Sequence, residues 1–219
     1  MKTDPIKPTV ISLVNPRGGV GRTALAIAMA RCLTGIHRKS VLLLDLDPSR
    51  RASVQLKGFD ITEGSLLMRR IAVSSDASFA LSSMTPLSMS RYNFVLIDTP
   101  ATAGPSFWSA QSLSTHYLIP TLPEAAFIPE IARLVKMISR FSKRTNHGIK
   151  PLGIVATHVR EPRAVAAFRQ AMASKEEVAP QEIPPVFEHY VRHTSAFSGN
   201  RPSPVDVRGM IGECLQRLS

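Results

Sequence analysis

Ten residues constrain this chain more than any others: Asn15-Pro16-Arg17-Gly18-Gly19-Val20-Gly21-Arg22-Thr23-Ala24. An apolar, β-branched run, Thr9 to Val14, leads into them, and a run of small, helix-favouring residues, Ala24 to Leu33, leads out. The order is strand, glycine-rich turn, helix. Glycines at 18, 19 and 21 carry no Cβ, so successive backbone N–H groups can point inward and the chain can take φ values that other residues avoid. A helix beginning near Arg22 adds the positive end of its dipole. Together these features make a seat for a polyphosphate.

Thr23 sits where a P-loop hydroxyl ligates Mg²⁺. The strict pattern G-x-x-x-x-G-K-[ST] is not met, because Arg22 holds its lysine position and Pro16 its first glycine position. Two further segments supply context. Val41-Leu42-Leu43-Leu44-Asp45-Leu46-Asp47-Pro48 is an apolar run ending in two acids. A run without alternation fits a strand covered on both faces of a parallel sheet. Its C-terminal carboxylates then reach the sheet edge where α/β proteins bind ligands. Either acid could instead cap the next turn, since Asp-Pro is a common turn opening. That alternative fits one acid better than both. Tyr92 to Pro100 repeats the logic, with an apolar strand ending at Asp98 in the form of a Walker B segment, whose acid holds Mg²⁺ through hard oxygen ligands. Thr99-Pro100-Ala101 then starts a switch-like loop.

The rest of the chain alternates strands and helices. Ser114 to Pro120 and Leu152 to Thr157 read as strands. Pro129 fits the first turn of a helix whose apolar stripe is Ile131, Leu134, Val135, Ile138 and Phe141, with Lys136, Arg140, Lys143 and Arg144 off that stripe. Pro162 opens another helix, with Val165, Phe168 and Met172 on its apolar face, and a last helix spans Val205 to Leu218. Residues 49–93 show weak helical patterning near Ser65–Val73 and Ser78–Leu87. This order predicts an α/β fold with a doubly wound, mostly parallel sheet flanked by helices. At 219 residues one domain is expected, with no separate domain ahead of the phosphate loop.

A mean hydropathy of +0.04 and 44% hydrophobic residues indicate a globular chain. No apolar run approaches the roughly 20 residues a membrane span needs. Cys32 and Cys214 read as buried thiols in a reducing cytoplasm. The six histidines, at 37, 116, 147, 158, 189 and 193, show no ligand spacing and read as surface or loop residues, and Phe107 and Trp108 read as packing residues. Charge is the outlier: 27 basic against 16 acidic residues give +11 and a pI near 10.4. Such an excess favours a polyanionic partner, nucleic acid or an anionic membrane. A codon bias toward arginine is the bland alternative, and it leaves the shortage of acids unexplained.

Taken together, three segments resemble the ParA/MinD group of deviant Walker A ATPases. They are Arg17-Gly18-Gly19-Val20-Gly21-Arg22-Thr23, Asp45-Leu46-Asp47-Pro48 and Asp98-Thr99-Pro100, followed by Leu118-Ile119-Pro120. Ile183-Pro184 resembles a family feature near the adenine. The resemblance implies ATP and Mg²⁺ as cofactors. It places Gly18, Gly19, Val20, Gly21, Arg22, Thr23 and Ala24 around the phosphates, with Thr23, Asp45 and Asp98 serving the metal shell. Asp47 looks like the acid that orients the attacking water. Arg17 takes the place of the signature lysine that reaches across a dimer, and Arg22 that of the P-loop lysine.

Both lysines being arginines is the main departure. Arginine keeps the charge, but its planar fork is not a compact ammonium. Phosphate still attracts it strongly. Nucleotide binding is therefore expected to persist while hydrolysis is slow or negligible, although a tolerated variant in an ordinary weak ATPase is the alternative. Ala24 replaces a usual second hydroxyl, and the asparagine expected near Thr157 for adenine is missing.

The resemblance implies an ATP-gated homodimer that binds DNA nonspecifically, positions DNA cargo and answers to a ParB-like centromere-binding or adaptor protein, as in short plasmid-type partition ATPases, in the cytoplasm on the nucleoid. Candidate DNA contacts are Arg160, Arg163, Arg192, Arg201 and Arg208. Two other readings stay open. One is a MinD-like ATPase with an amphipathic C-terminal lipid foot, although Val205–Leu218 reads better as packed on the sheet. The other is a non-hydrolysing scaffold or adaptor.

Overall fold

The computed structural model describes residues 7–57, 71–74, 90–174, 183–193 and 207–219. The apolar runs become strands β1 (Thr9–Leu13), β2 (Val41–Asp45), β3 (Ile71–Ser74), β4 (Phe94–Asp98), β5 (His116–Thr121) and β6 (Lys150–Ala156). They form one sheet in the order β3-β2-β4-β1-β5-β6, and every neighbouring pair is parallel. Helices α1 (Arg22–Gly35), α2 (Arg51–Lys57), α3 (Pro105–Leu113), α4 (Ile128–Thr145), α5 (Pro162–Ala173) and α6 (Arg208–Leu218) connect and cover the strands.

Both faces of the sheet are covered, which is why its central strands read as unbroken apolar runs. Ile11, Leu13, Val41, Leu43, Leu96 and Leu118 pack with α1 and α6 on one face. Val10, Leu42, Leu44, Val95 and Ile97 pack with Ala110 of α3 on the other, where Tyr117, Ile119 and Ile154 join α4 and α5. α1 is buried along most of its length because α6 lies over it. α6 contributes Met210, Ile211 and Cys214 to that core, as the packing reading of the last helix requires.

α4 has Pro129 in its first turn and ends at Asn146, whose φ of 51° is the left-handed C-terminal stop that asparagine tolerates. Ile131, Leu134, Val135 and Ile138 are buried, while Arg133, Lys136 and Arg140 are exposed.

One expectation is corrected. The helical patterning read over Ser65–Val73 fails at its end, because Ile71–Ser74 is an edge strand in register with β2, from Val41↔Ile71 to Leu44↔Ser74. A short apolar run carries no decisive period, and the open edge of β2 decides the outcome. The patterning over residues 65–70 and Ser78–Leu87 lies outside the described residues.

The topology also fixes the site. From β1 the chain crosses to β2 on one side, and after β4 it crosses to β5 on the other. The loop after β1 therefore opens at the switch point of the sheet, where a crevice forms beyond the strand ends.

Candidate functional site

The glycine loop is held from below by Asn15, a buried residue that sequence reading missed. Its Nδ2 donates to the Pro120 carbonyl at 2.8 Å, and its Oδ1 accepts the Arg17 N–H at 2.8 Å. Its own carbonyl accepts from the Arg22 guanidinium. The visible signal was a lone amide ending an apolar strand. Gly19 and Gly21 have φ of 79° and 77°, which explains glycine at both. Gly21 is the N-cap of α1 and no side chain among the described residues caps that helix, which leaves its first N–H groups at the crevice. A Cβ placed on Gly18 or Gly19 meets no atom of the described residues within 4 Å, which leaves room in front of the loop. That space is a cradle of about 440 Å³, walled by Gly18–Ala24, by Asp47, Ser49, Arg51 and Gln55 after β2, and by Ala101 and His158. Thr157 ties the loop to the sheet, its hydroxyl lying 2.8 Å from the Val20 carbonyl and 3.0 Å from that of Thr121.

Asp45 and Asp98 end β2 and β4 side by side in register, and both are buried. Asp45 Oδ2 accepts from the Ser53 N–H and hydroxyl at 2.8 and 2.9 Å and so caps α2, but its Oδ1 has no partner among the described residues. Neither carboxylate oxygen of Asp98 has a partner in hydrogen-bond geometry among the described residues. Burial pushes Asp98 up to about 7, against the pull of the Thr23 hydroxyl, with Asp45 raising it further and Arg22 opposing. Three unpaired buried oxygens carry a desolvation cost of about 1–3 kcal/mol each, a cost that a bound cation would remove. Hard oxygen donors beside a hydroxyl suit Mg²⁺.

Asp47 has two contacts. Its Oδ1 accepts from the Ser49 N–H at 2.8 Å and hydroxyl at 2.5 Å, capping the turn, while its Oδ2 faces Arg22 Nη2 at 3.7 Å. Both acids of the β2 end thus have turn-capping work, and each keeps one oxygen free of it. Arg22 is 7% exposed and lies along the floor of the loop. Burial lowers its pKa, opposed by Asp98 and Asp47.

Arg17 points away from the cradle. Its Nε and Nη2 form a fork on the Glu130 carboxylate at 2.7–3.0 Å, and its guanidinium lies 5.1 Å from the centre of the Phe127 ring. His158, read from sequence as a surface or loop residue, lines the cradle with a φ of 53° and pairs with His193, Nδ1 to Nδ1, at 3.4 Å. Burial, and then His193, lower its pKa. Among the candidate DNA contacts, Arg163 is paired with Glu161 at 2.6 Å, Arg160, Arg192 and Arg208 are exposed, and Arg201 lies outside the described residues. Phe107 is buried and Trp108 packs beside it, as expected. Both cysteines are buried, and burial raises both thiols, that of Cys32 to about 11.

A glycine loop opening a helix at the switch point of a parallel sheet, flanked by two strand-end carboxylates, defines a P-loop type of nucleotide-binding protein. The family model of the CobQ/CobB/MinD/ParA nucleotide-binding domain matches residues 11–198, and the chain belongs to that family. It is 27% identical over 172 residues to the chromosome-partitioning ATPase Soj of Thermus thermophilus, covering 67% of this chain and 68% of that one. Its fold is similar to that of apo McdA from Cyanothece, with a TM-score of 0.73 at 17% identity over 96% of this chain and 99% of that one. It is similar also to cobyrinic acid a,c-diamide synthase of Mycobacterium smegmatis with a bound ATP analogue and magnesium. There the TM-score is 0.71 at 18% identity, over 94% of this chain and 92% of that one.

Proposed function

We propose that this chain is a ParA-like ATP-binding protein that dimerises on ATP, binds DNA without sequence preference and positions DNA cargo, with slow hydrolysis. One observation carries the nucleotide part: the buried carboxylates of Asp45 and Asp98, with three oxygens left without a partner in hydrogen-bond geometry among the described residues, sit at adjacent strand ends next to the start of α1 behind a glycine loop. The residues present fit Mg-ATP. Gly18 to Ala24 offer backbone N–H groups to phosphate, and Thr23, Asp45 and Asp98 would hold Mg²⁺. When bound, Mg²⁺ neutralises charge on the phosphate oxygens. Asp47, with its Oδ2 facing the loop floor, is the group we assign to orient water. The likeness to Soj and the net charge of +11 support the DNA part.

A second reading, a non-hydrolysing scaffold, is favoured by Arg22, whose guanidinium is already engaged with Asn15 and Asp47. No comparable observation favours a lipid foot, because the apolar face of α6 is spent in the core.

Calorimetry with Mg-ATP, followed by phosphate release and by DNA binding with and without ATP, tests the proposal. The expected outcome is ATP binding, slow turnover and ATP-dependent DNA binding. A flat titration with Mg-ATP sinks the nucleotide reading, and ATP-bound protein that ignores DNA sinks the partition reading.

A further inference from the structure

The geometry points to a second site: we infer that the groove between α3 and α4 binds the phosphodiester backbone of duplex DNA. The inference rests on the proposed DNA-binding function and locates it away from the arginines of the C-terminal third. The groove has a volume of about 850 Å³ and is lined by Trp108, Arg133, Lys136, Arg140, Phe141 and Arg144, with Met137 and Thr145 completing it. The four cations are exposed and none forms an ion pair among the described residues. They follow one another at intervals of three, four and four residues, so they lie on one face of α4. At 1.5 Å per residue the stripe is about 16 Å long, close to the axial length of five phosphates of one B-form strand. α3 contains no acidic residue, and the single acid of α4, Glu130, is engaged by Arg17 at the far end.

The aromatic residues decide between kinds of polyanion. Trp108 stacks on Phe141 with centroids 4.8 Å apart at 26°, and Phe107 meets Trp108 edge-on at 5.0 Å. These rings spend their faces on each other. Trp108 and Phe141 line the groove beside Arg140 and Arg144, stacked on each other and not set out as a platform for unstacked bases. The groove therefore offers charge without base readout. Sequence-independent phosphate contact is what remains.

The test uses the full chain with Mg-ATP and a fluorescent 30-bp duplex of arbitrary sequence, with affinity followed from 50 to 200 mM salt. The triple variant Lys136→Gln/Arg140→Gln/Arg144→Gln should lose roughly tenfold or more in affinity, and its salt slope should fall by about three for each copy held on the duplex, one per phosphate contact. Equal charge removal elsewhere, Arg160→Gln/Arg163→Gln/Arg192→Gln, should change affinity less than about threefold. The charge-conserving variant Arg140→Lys/Arg144→Lys should stay near the parent, which separates lost charge from lost folding. Parent-like binding by the groove variant, or an equal loss in the control, overturns the groove while leaving the DNA reading intact. Displacement of the duplex by polyglutamate at equal charge overturns it in favour of an acidic protein partner. A parent that binds a fluorescent ATP analogue but no duplex overturns the DNA reading and the groove together.

Discussion

At position 22 a guanidinium occupies the place where a P-loop carries an ammonium, and its neighbours differ accordingly. Arg22 is buried, donates to the Asn15 carbonyl and faces Asp47 at 3.7 Å. One contact lies within the loop and the other with the turn after β2, so the side chain must give up a buried carbonyl to move onto a phosphate. A lysine there would be compact, with rotatable donors. Arg22→Lys is therefore expected to raise single-turnover phosphate release about tenfold, a change of about 1.4 kcal/mol in barrier. ATP affinity should move less than about threefold, because the glycine-loop N–H groups and the helix end remain. A rate equal to the parent's places the limit elsewhere, as the scaffold reading requires. Asn15 itself could not be identified from the chain alone. Its partners Arg22 and Pro120 lie 7 and 105 residues further along the chain, and the contact to Pro120 exists only once β1 and β5 are paired. Asp45, Asp47 and Asp98 could be identified, because a carboxylate ending a fully apolar strand has few other places to go.

Elements were readable where burial on both faces leaves an uninterrupted apolar run, as in β2 and β4, and where a stripe has helical period, as in α4. β3 was not readable, since its strand character comes from the edge of β2. Nor was the clamp between α4 and the glycine loop, because Arg17 and Glu130 are 113 residues apart. That clamp ties the first turn of the proposed DNA helix to the nucleotide loop. It also holds in cis the side chain that, by family resemblance, would reach a partner. Glu130→Gln is expected to free Arg17 and tighten ATP-dependent dimerisation several-fold in sedimentation velocity. An unchanged monomer–dimer equilibrium would show that the clamp does not compete with the dimer. A second tether joins α6 to the segment around 188. Burial disfavours the Glu213 carboxylate, but the N–H groups of Glu188 and His189, the His189 ring and Arg217 outweigh it and hold its pKa below the ordinary value. A depressed carboxyl stabilises the fold above its unfolded pKa of about 4.3, and that contribution disappears as pH falls through the lower folded value. Glu213→Gln should thus cost about 2 kcal/mol at pH 7 and less as the pH falls below about 4.3, read as denaturant midpoints. A cost that does not change with pH would mean that ionisation of Glu213 contributes nothing.

For the whole molecule, the excess of 27 basic over 16 acidic residues favours a polyanionic partner but does not say where one would bind. The proposed placement rests on the fold. α4 turns its apolar stripe to the sheet, and its cations are left together on the outside. One copy offers about four phosphate contacts through this groove, which corresponds to a salt slope near −3.6 at about 0.9 per contact. Two copies held together by ATP would present two such grooves to one duplex, and the second contact would then form at the effective concentration set by the first. The slope of log affinity against log salt should accordingly approach about −7 with ATP and stay near −4 with ADP, while affinity at a fixed low salt rises by roughly 100-fold or more. Fluorescence anisotropy on one duplex, with nucleotide as the single variable, measures both quantities together. Equal slopes with ATP and ADP would mean that the nucleotide adds no basic surface, and the ATP-gated dimer would then be the wrong account of how this chain holds DNA.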